Sequence, residues 1–353
     1  QVFVEAEAAQ RRLGVDGDGL VDLLLAAHWQ PIRWLQNDGG QRFVDRTEAA
    51  GLAAHTGWWN SLCAWDCDAD GDLDYVAGNV GWNTKYKASA EHPVRLYFGD
   101  FDDNGTRDLV EAKYEGDDLL PVRGRSCSSQ AMPFLAEKFP TYDAFASSVL
   151  GEIYPQQKLA SCGQLEATTL ASCLLRNDGT GRFTVEVLPR RAQIAPIFGM
   201  VALGDLLVCA QNSFAPEPET GRFDGGTGLV LRGTADGIEV VPPHEHGIVE
   251  FGDRKALVVT GDGVVLFGRN DGPVTAWRGG LTRGELPLPT TNGNPQAIGT
   301  RVVFEFPDGR RRAVEVQAGS GYLSQTPPFW PAGAIRAIVH LPDGTVTRVE
   351  LAQ

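Results

Sequence analysis

Hydrophobic residues in this chain come in short runs bounded by Gly, Asp or Pro. Leu23-Leu24-Leu25-Ala26, Tyr75-Val76-Ala77-Gly78, Val94-Arg95-Leu96-Tyr97-Phe98 and Leu109-Val110-Glu111-Ala112-Lys113-Tyr114 are of this kind. Runs this short, closed by turn residues, predict strands. A second pattern is an apolar strand, an Asn, a Gly-rich turn, an aromatic and another strand. It occurs at 34–44 around Asn37-Asp38-Gly39-Gly40, at 174–185 around Asn177-Asp178-Gly179, and more loosely at 228–241. Each copy predicts a hairpin. One stretch departs from this: from Tyr142 onward, residues 133–159 carry helical spacing, which predicts one or two helices inserted between strands. The texture changes again near 280. A Gly- and Pro-containing linker at 280–294 precedes two pairs of alternating runs around Pro307-Asp308-Gly309 and Pro342-Asp343-Gly344, a small separate β unit.

Between the strands lie acidic loops. Asp66-Cys67-Asp68-Ala69-Asp70-Gly71-Asp72-Leu73-Asp74 puts side-chain oxygens at positions 1, 3, 5, 7 and 9. Asp100-Phe101-Asp102-Asp103-Asn104-Gly105-Thr106-Arg107-Asp108 repeats the arrangement. An earlier copy, Gly14-Val15-Asp16-Gly17-Asp18-Gly19-Leu20-Val21-Asp22, keeps Asp16, Asp18 and Asp22 but lacks the first carboxylate. Alternate residues of a tight loop turn inward, and several hard oxygens on one flexible loop suit Ca²⁺. The candidate ligands are therefore Asp66, Asp68, Asp70, Asp72 and Asp74; Asp100, Asp102, Asn104, Thr106 and Asp108; and Asp16, Asp18 and Asp22. Plain Asp-Gly turns are the competing explanation. An EF-hand closes with Glu at position 12 between two helices. Position 12 is Glu111 for the loop at 100, but Ala77 and Leu25 for the others, and all the flanks read as strands.

Strand, acidic loop, strand and hairpin are the content of one four-stranded propeller blade, and radial repetition leaves only short sheet edges. About five such equivalents precede residue 285. The expected fold is thus all-β: a β-propeller over 1–285, with a helical insertion at about 133–159, followed by a β unit over 290–353.

Composition narrows the function classes. Gly 42 and Pro 21 against Met 2 fits many short strands and turns. A net charge of −14 argues against a nucleic-acid groove, which needs a basic patch. No run approaches the roughly 20 apolar residues of a membrane span. The chain opens on Gln1 rather than Met, which reads as a processed product with a secretory signal removed, and hence as extracellular, cell-surface or periplasmic. Six cysteines at 63, 67, 127, 162, 173 and 209 contain no CxxC pair, so a zinc ribbon is not expected. An exported origin admits disulfides, and spacing does not choose among the pairings. Cys162 with Cys173 is the favoured bridge. Cys63 and Cys67 stand too close on a strand, and Cys209 reads as a core thiol.

The loops resemble FG-GAP/VCBS repeats, the blade unit of integrin-like β-propellers. Residues 293–353 resemble the ASPIC/UnbV domain, chiefly through Val316-Gln317-Ala318-Gly319-Ser320-Gly321-Tyr322-Leu323-Ser324-Gln325. The order of elements is similar to that of bacterial relatives of cartilage acidic protein, in which propeller repeats precede one ASPIC/UnbV domain in exported proteins. The resemblance implies fold and calcium more than activity. Two departures matter. At 201–206 the acidic loop is cut down to a tight turn at Gly204-Asp205, so no calcium is expected there. The first residues, 1–5, read as the last strand of a blade, so the propeller is expected to be small, open or lacking its first blades.

Catalytic motifs are absent: no G-x-S-x-G, H-E-x-x-H, Walker or dinucleotide-binding pattern occurs in the required context. His244-Glu245-His246 reads as a solvated loop more than a metal site. Trp58-Trp59-Asn60 and Trp82-Asn83 offer a sugar-binding surface, against the commoner fate of blade-core packing. Tyr322 reads as structural. The leading reading is a non-catalytic, calcium-stabilised extracellular module that binds a protein or glycan ligand. Self-assembly into a homo-oligomer or filament through an unpaired strand at 2–5 is a further possibility. The rival is a carbohydrate-active lyase or hydrolase with its site at the propeller mouth. Fold does not decide between them. A deep mouth with convergent polar groups that are not calcium ligands would favour the rival.

Overall fold

The computed structural model describes residues 9–18, 20–216, 220–279, 286–290, 293–319 and 321–351. The strand expected at 1–5 and part of the linker at 280–294 lie outside these residues.

Asp-Gly and Asn-Gly turns fold each apolar run back on its neighbour, and the result is a series of small antiparallel sheets. The first blade comprises Ala9–Leu13, Asp22–Ala26, Arg33–Asp38 and Arg42–Asp45. The second comprises Ser61–Trp65, Asp74–Gly78, Cys173–Asn177 and Phe183–Val187. The third comprises Ile197–Leu203, Leu206–Gln211, Leu229–Thr234 and Gly237–Val240. The fourth has three strands, Arg254–Val259, Val264–Arg269 and Thr275–Arg278. The first strands of successive blades pack side by side, which is the radial order of a propeller. The fold is all-β and integrin-like, with an insertion and a small C-terminal β sheet.

Each seam between blades has its own apolar filling. Leu62, Tyr75, Leu175, Trp34 and Trp59 fill the first seam; Trp65, Val76, Met200 and Leu231 the second; Leu257, Phe267, Val208 and Val230 the third. Trp59, Leu62 and Tyr75 have no exposed surface. Burial of one such side chain contributes about 1.5–3 kcal/mol, so the seams are the main source of cohesion.

Residues 79–172 interrupt the second blade after its second strand. They form a separate four-stranded sheet, Asp118–Pro121, Asp108–Glu115, Val94–Gly99 and Gly163–Ala167, in that spatial order. The acidic loop at 100–108 therefore belongs to this inserted sheet, whereas the loops at 14–22 and 66–74 join first and second strands of consecutive blades. The helical part is longer and more broken than its sequence pattern implies. Five short helices run Arg125–Ala131, Phe134–Lys138, Tyr142–Ala146, Leu150–Ile153 and Gln156–Ser161. Pro133, Pro140 and Pro155 each stand at a break, where a proline removes a backbone donor and holds its predecessor extended.

The C-terminal sheet has the order Arg311–Glu315, Arg301–Glu305, Arg336–His340, Val346–Glu350. Alternation along its second strand divides two faces: Val302 and Phe304 enter the sheet's own core, while Val303 joins Ala313 against the first two blades. The segment after it, 321–329, runs along the first strands of the third and fourth blades. Ser324 Oγ donates to Leu257 O at 3.1 Å, Val259 N donates to Thr326 Oγ1 at 3.2 Å, and Phe329 packs into the seam of those blades. The chain's own C-terminal segment is thus packed against the third and fourth blades.

No cysteine is bridged. The expected Cys162–Cys173 disulfide does not form because the two thiols belong to different packing units. Cys162 sits on the inserted helices and donates to Leu159 O at 3.3 Å, whereas Cys173 lies in the first seam and donates to Ala171 O at 3.3 Å. Cys209 is a buried core thiol.

Candidate metal centres and the propeller mouth

The two complete acidic loops share a backbone. Asp66 Oδ1 accepts from Ala69 N at 2.8 Å and Oδ2 from Gly71 N at 3.2 Å. Asp100 Oδ1 accepts from Asn104 N at 3.1 Å and Oδ2 from Gly105 N at 2.9 Å. Both loops take positive φ at positions 4 and 6: Ala69 at 62° and Gly71 at 99°, Asp103 at 59° and Gly105 at 84°. The first carboxylate satisfies the amides that this reversal exposes, and Gly supplies the second positive φ without strain. At position 5, Asp18, Asp70 and Asn104 accept from the amides of Leu20, Asp72 and Thr106 at 2.7, 3.0 and 2.7 Å.

Position 9 ties the loop to the blade. Asp22 Oδ2 and Asp108 Oδ2 each accept the position-2 amide at 3.1 Å, while Asp74 Oδ2 accepts from the Cys67 thiol at 2.9 Å. The other oxygens of Asp22 and Asp74 accept from the amides of Asn37 and Asn177 at 2.7 and 2.9 Å. Those asparagines donate their side-chain amides back to Val21 O and Leu73 O at 3.1 and 3.2 Å. The two sequence repeats, acidic loop and Asn-Asp-Gly hairpin, are therefore one interlocked unit.

Carboxylate oxygens of Asp66, Asp68 and Asp70 lie within 4.8 Å of one another, as do those of Asp100, Asp102 and Asp108. In both loops one position-3 oxygen, Asp68 Oδ1 and Asp102 Oδ1, is shielded from solvent and has no hydrogen-bond partner. An unpartnered carboxylate oxygen inside a three-carboxylate group is costly without a cation. The donors in these two groups are all oxygen, which fits a hard cation such as Ca²⁺. Burial pushes Asp66 and Asp72 up to about 7, and Asp22 and Asp74 up to about 6, with neighbouring carboxylates adding to the rise. Asp18 and Asp108 are also raised, chiefly by burial.

The remaining expected ligands divide. Asp72 lies beside Asp70, which adds to its raised pKa. Asn104 Oδ1 is occupied by the amide and hydroxyl of Thr106. In the first copy Asp16, Asp18 and Asp22 do not converge into a group of three among the described residues, and Asp16 accepts from the Gln36 amide. Near Gly14, where the carboxylate is missing, stands Glu315 of the C-terminal sheet, its Oε2 3.4 Å from Gly14 N.

Sequence reasoning missed that contact and the larger one beside it. The C-terminal sheet grips the loop at 66–74. Ala313 N donates to Asp66 Oδ2 at 2.6 Å, Arg312 Nη1 to Asp66 O at 2.6 Å, Arg311 N to Ala69 O at 3.1 Å, and Arg301 Nη2 to Gly71 O at 2.7 Å. Arg312 also reaches Gly204 O at 2.6 Å, so the shortened turn at Gly204-Asp205 leaves room for this sheet. Arg301, Arg311 and Arg312 were the available signal, a basic set in an acidic chain. Arg176 adds a cation inside the same loop, paired with Asp68 and with Glu186 at 2.8 Å.

Residues 15–77 match the FG-GAP-like repeat. The match takes in residues 15–22 of the first loop and the whole loop at 66–74, and ends within the second blade's second strand. A comparison with curated proteins returns no match.

At the opposite ends of the same strands lies the mouth, an open cavity of about 680 Å³. Its wall contains His28, Trp29 and Trp58 from the small sheet His28–Pro31 with Thr56–Trp58, Asn60 just after it, Glu111 and Tyr86 from the insertion, and Asp253, Lys255 and Asn270 from the fourth blade. Tyr322, within the C-terminal string singled out above, stands in the same wall with its ring 5.3 Å from that of Phe198. Of the tryptophans expected at a sugar surface, Trp58 lines the mouth, Trp59 is wholly in the core, and Trp82 is exposed outside it. His244 and His246 lie on a one-turn helix, Pro243–His246, where His246 Nδ1 accepts from Ile248 N at 3.0 Å. Among the described residues no helix is long and apolar enough to cross a membrane.

Proposed function

We propose that this chain is a calcium-stabilised, non-catalytic extracellular binding module. The observation that carries this reading is the pair of unpartnered position-3 oxygens, Asp68 Oδ1 and Asp102 Oδ1, each within a group of three carboxylates. Bound Ca²⁺ would supply the positive charge that Arg176 provides only in part in the first group and that no side chain among the described residues provides by pairing directly with Asp100, Asp102 or Asp108 in the second. Asp66, Asp68, Asp70 and Asp74 would hold it in one loop, and Asp100, Asp102, Asn104 and Asp108 in the other. The FG-GAP-like match supports an extracellular, cell-surface or periplasmic setting, since such repeats are often extracellular binding modules. We read residues 1–285 as the propeller and 290–353 as a second unit that resembles ASPIC/UnbV and docks on it. Thermal melts with EDTA and with added Ca²⁺ test the reading: the midpoint should rise with calcium, and identical midpoints would overturn it.

The enzyme reading retains one observation in its favour, the presence of Glu111, Asp253 and His28 in the mouth. Each is held in a polar pair: Tyr86 with Glu111 at 3.3 Å, Asn270 with Asp253 at 3.1 Å, and His28 with Asn60 at 3.2 Å. Pairs of this kind suit recognition more directly than proton transfer. Release of nitrophenol from chromogenic glycosides, lost on Glu111→Gln or Asp253→Asn, would replace the binding reading with the enzyme.

A further inference from the structure

We propose that the mouth cavity is a binding site for a neutral saccharide, one or two sugar units in size. The inference rests on the reading of the chain as a binding module and names its ligand class. Four observations carry it.

The cavity has the volume of a small-molecule site, within the range of about 300–1,000 Å³. Its wall offers flat aromatic surface: Trp58 stands edge-on between Trp29 and Tyr86, with ring centroids 5.1 and 4.8 Å away. Trp29 and Tyr86 are buried and hold Trp58, the partly exposed ring, as a rigid apolar surface for the C–H face of a sugar at little entropic cost. Its polar groups are mixed. The pairs Glu111–Tyr86, Asp253–Asn270 and His28–Asn60 each set donors beside acceptors, and a hydroxyl, which both donates and accepts, answers either kind.

The fourth observation is incomplete satisfaction. Asp253 is 4% exposed, and its Oδ1 has no hydrogen-bond partner, with only Lys255 Nζ at 3.5 Å. The indole N–H of Trp58 is shielded and also without a partner. Both atoms are shielded in the free chain, so a ligand hydroxyl would reach them only after a side-chain adjustment; an unmade acceptor and an unmade donor beside one cavity are what such an adjustment would satisfy. Charge excludes an anionic ligand: Lys255 is neutralised by Asp253 and covered by the Phe198 ring at 3.2 Å, and Glu111 leaves the wall net negative. Phosphate, sulfate or uronate groups would meet a carboxylate without a free cation.

The test is a glycan array bearing neutral, sialylated and sulfated glycans, probed with the full chain in calcium, followed by calorimetric titration of the free glycan that binds. Neutral glycans should bind. Trp58→Phe, which keeps an aromatic ring but removes the N–H and part of the indole face, and Asp253→Asn, which keeps the shape, should each weaken binding about tenfold, while Trp82→Ala should leave it unchanged. No bound glycan, binding confined to sialylated or sulfated glycans, or loss with Trp82→Ala but with neither mouth variant would overturn the proposal. Repeating the array in EDTA separates the two readings. Glycan binding that persists with an unchanged melting midpoint supports the saccharide site and overturns the calcium assignment; a calcium-dependent midpoint without glycan binding does the reverse.

Discussion

The acidic loops at 66–74 and 100–108 share a ligand pattern and a backbone, yet they occupy different mechanical positions. The first joins two blade strands, and Asp66 at its head is 1% exposed beneath the C-terminal sheet. The second sits on the inserted sheet, with Asp103 to Arg107 exposed and Lys158 donating to Asp100 O at 2.9 Å. In one the motif is a keystone between parts of the molecule; in the other it closes a hairpin. A ligand motif therefore reports the chemistry available to a loop, while its neighbours decide how much of the fold depends on it.

Removing the cation tests what the loops share, and it should have the largest effect. Binding to the folded state alone stabilises by on the order of 3 kcal/mol per site at a hundredfold excess over Kd. Calcium should therefore raise the melting midpoint relative to EDTA. Asp68→Ala and Asp102→Ala should each remove part of that gain, and Asp205→Ala, at the shortened turn, should leave it intact. If Asp68→Ala and Asp102→Ala keep the full calcium response, the position-3 oxygens are not ligands.

Substitution at position 1 sharpens the contrast. Asp66→Ala strands three amides, of Ala69, Gly71 and Ala313, two within the loop and one on the C-terminal sheet. Buried donors left unmade cost about 1–3 kcal/mol each before relaxation, so a loss on the order of 3 kcal/mol is expected in urea titration. The C-terminal sheet should also loosen, with faster proteolytic cutting between 280 and 294. Asp100→Ala should give a smaller shift and no change in cutting. Equal effects of the two substitutions would mean that the C-terminal contacts add nothing to the first loop.

A pH effect should follow the docking surface. Burial pushes Glu315 up to about 8 from the ordinary glutamate value of 4.5. Its folded form holds a proton over a pH range in which the unfolded chain has released it. Stability from this group is therefore full below about pH 4.5 and declines as pH rises toward 8, at no more than about 1.4 kcal/mol per unit. In calcium, wild type should lose stability between pH 6 and 8 more steeply than Glu315→Gln. Parallel curves would remove Glu315 from the dock's pH response.

Much of this was legible because Asp, Asn and Gly act locally. The loops at 66–74 and 100–108, the hairpins closed after Asn37 and Asn177, and the Asp-Gly hairpins of the C-terminal sheet all follow from residues within a few positions of one another. Pairing partners were not legible in the same way: nothing inside 100–108 says that its strands join an inserted sheet instead of the next blade. The C-terminal grip on Asp66 joins residues some 247 positions apart, and the mouth gathers His28, Glu111, Asp253 and Tyr322. Periodicity carries no signal at such separations. Only Trp58-Trp59-Asn60 hinted at the mouth, and alternation along a strand sent Trp58 to the cavity and Trp59 to the core.

The smallest expected effect lies in the cation each loop already has. Arg176 pairs with Asp68 inside the first loop and stands 3.8 Å from Asp74. It offsets part of the carboxylate repulsion when no metal is present, and it competes with a metal for the same oxygens. Lys158 pairs with Asp103, which is not a candidate ligand, and donates to the backbone of Asp100 without pairing with a candidate carboxylate. Arg176→Gln should therefore lower the midpoint in EDTA, by less than about 1 kcal/mol for a pair near the surface, yet enlarge the gain on adding calcium. Lys158→Gln should change neither quantity measurably. The two midpoints, with and without calcium, read out both halves of the claim. A smaller calcium gain in Arg176→Gln would mean that the guanidinium holds Asp68 in place for the metal instead of competing with it, and the first loop would then depend on its neighbours even for its chemistry.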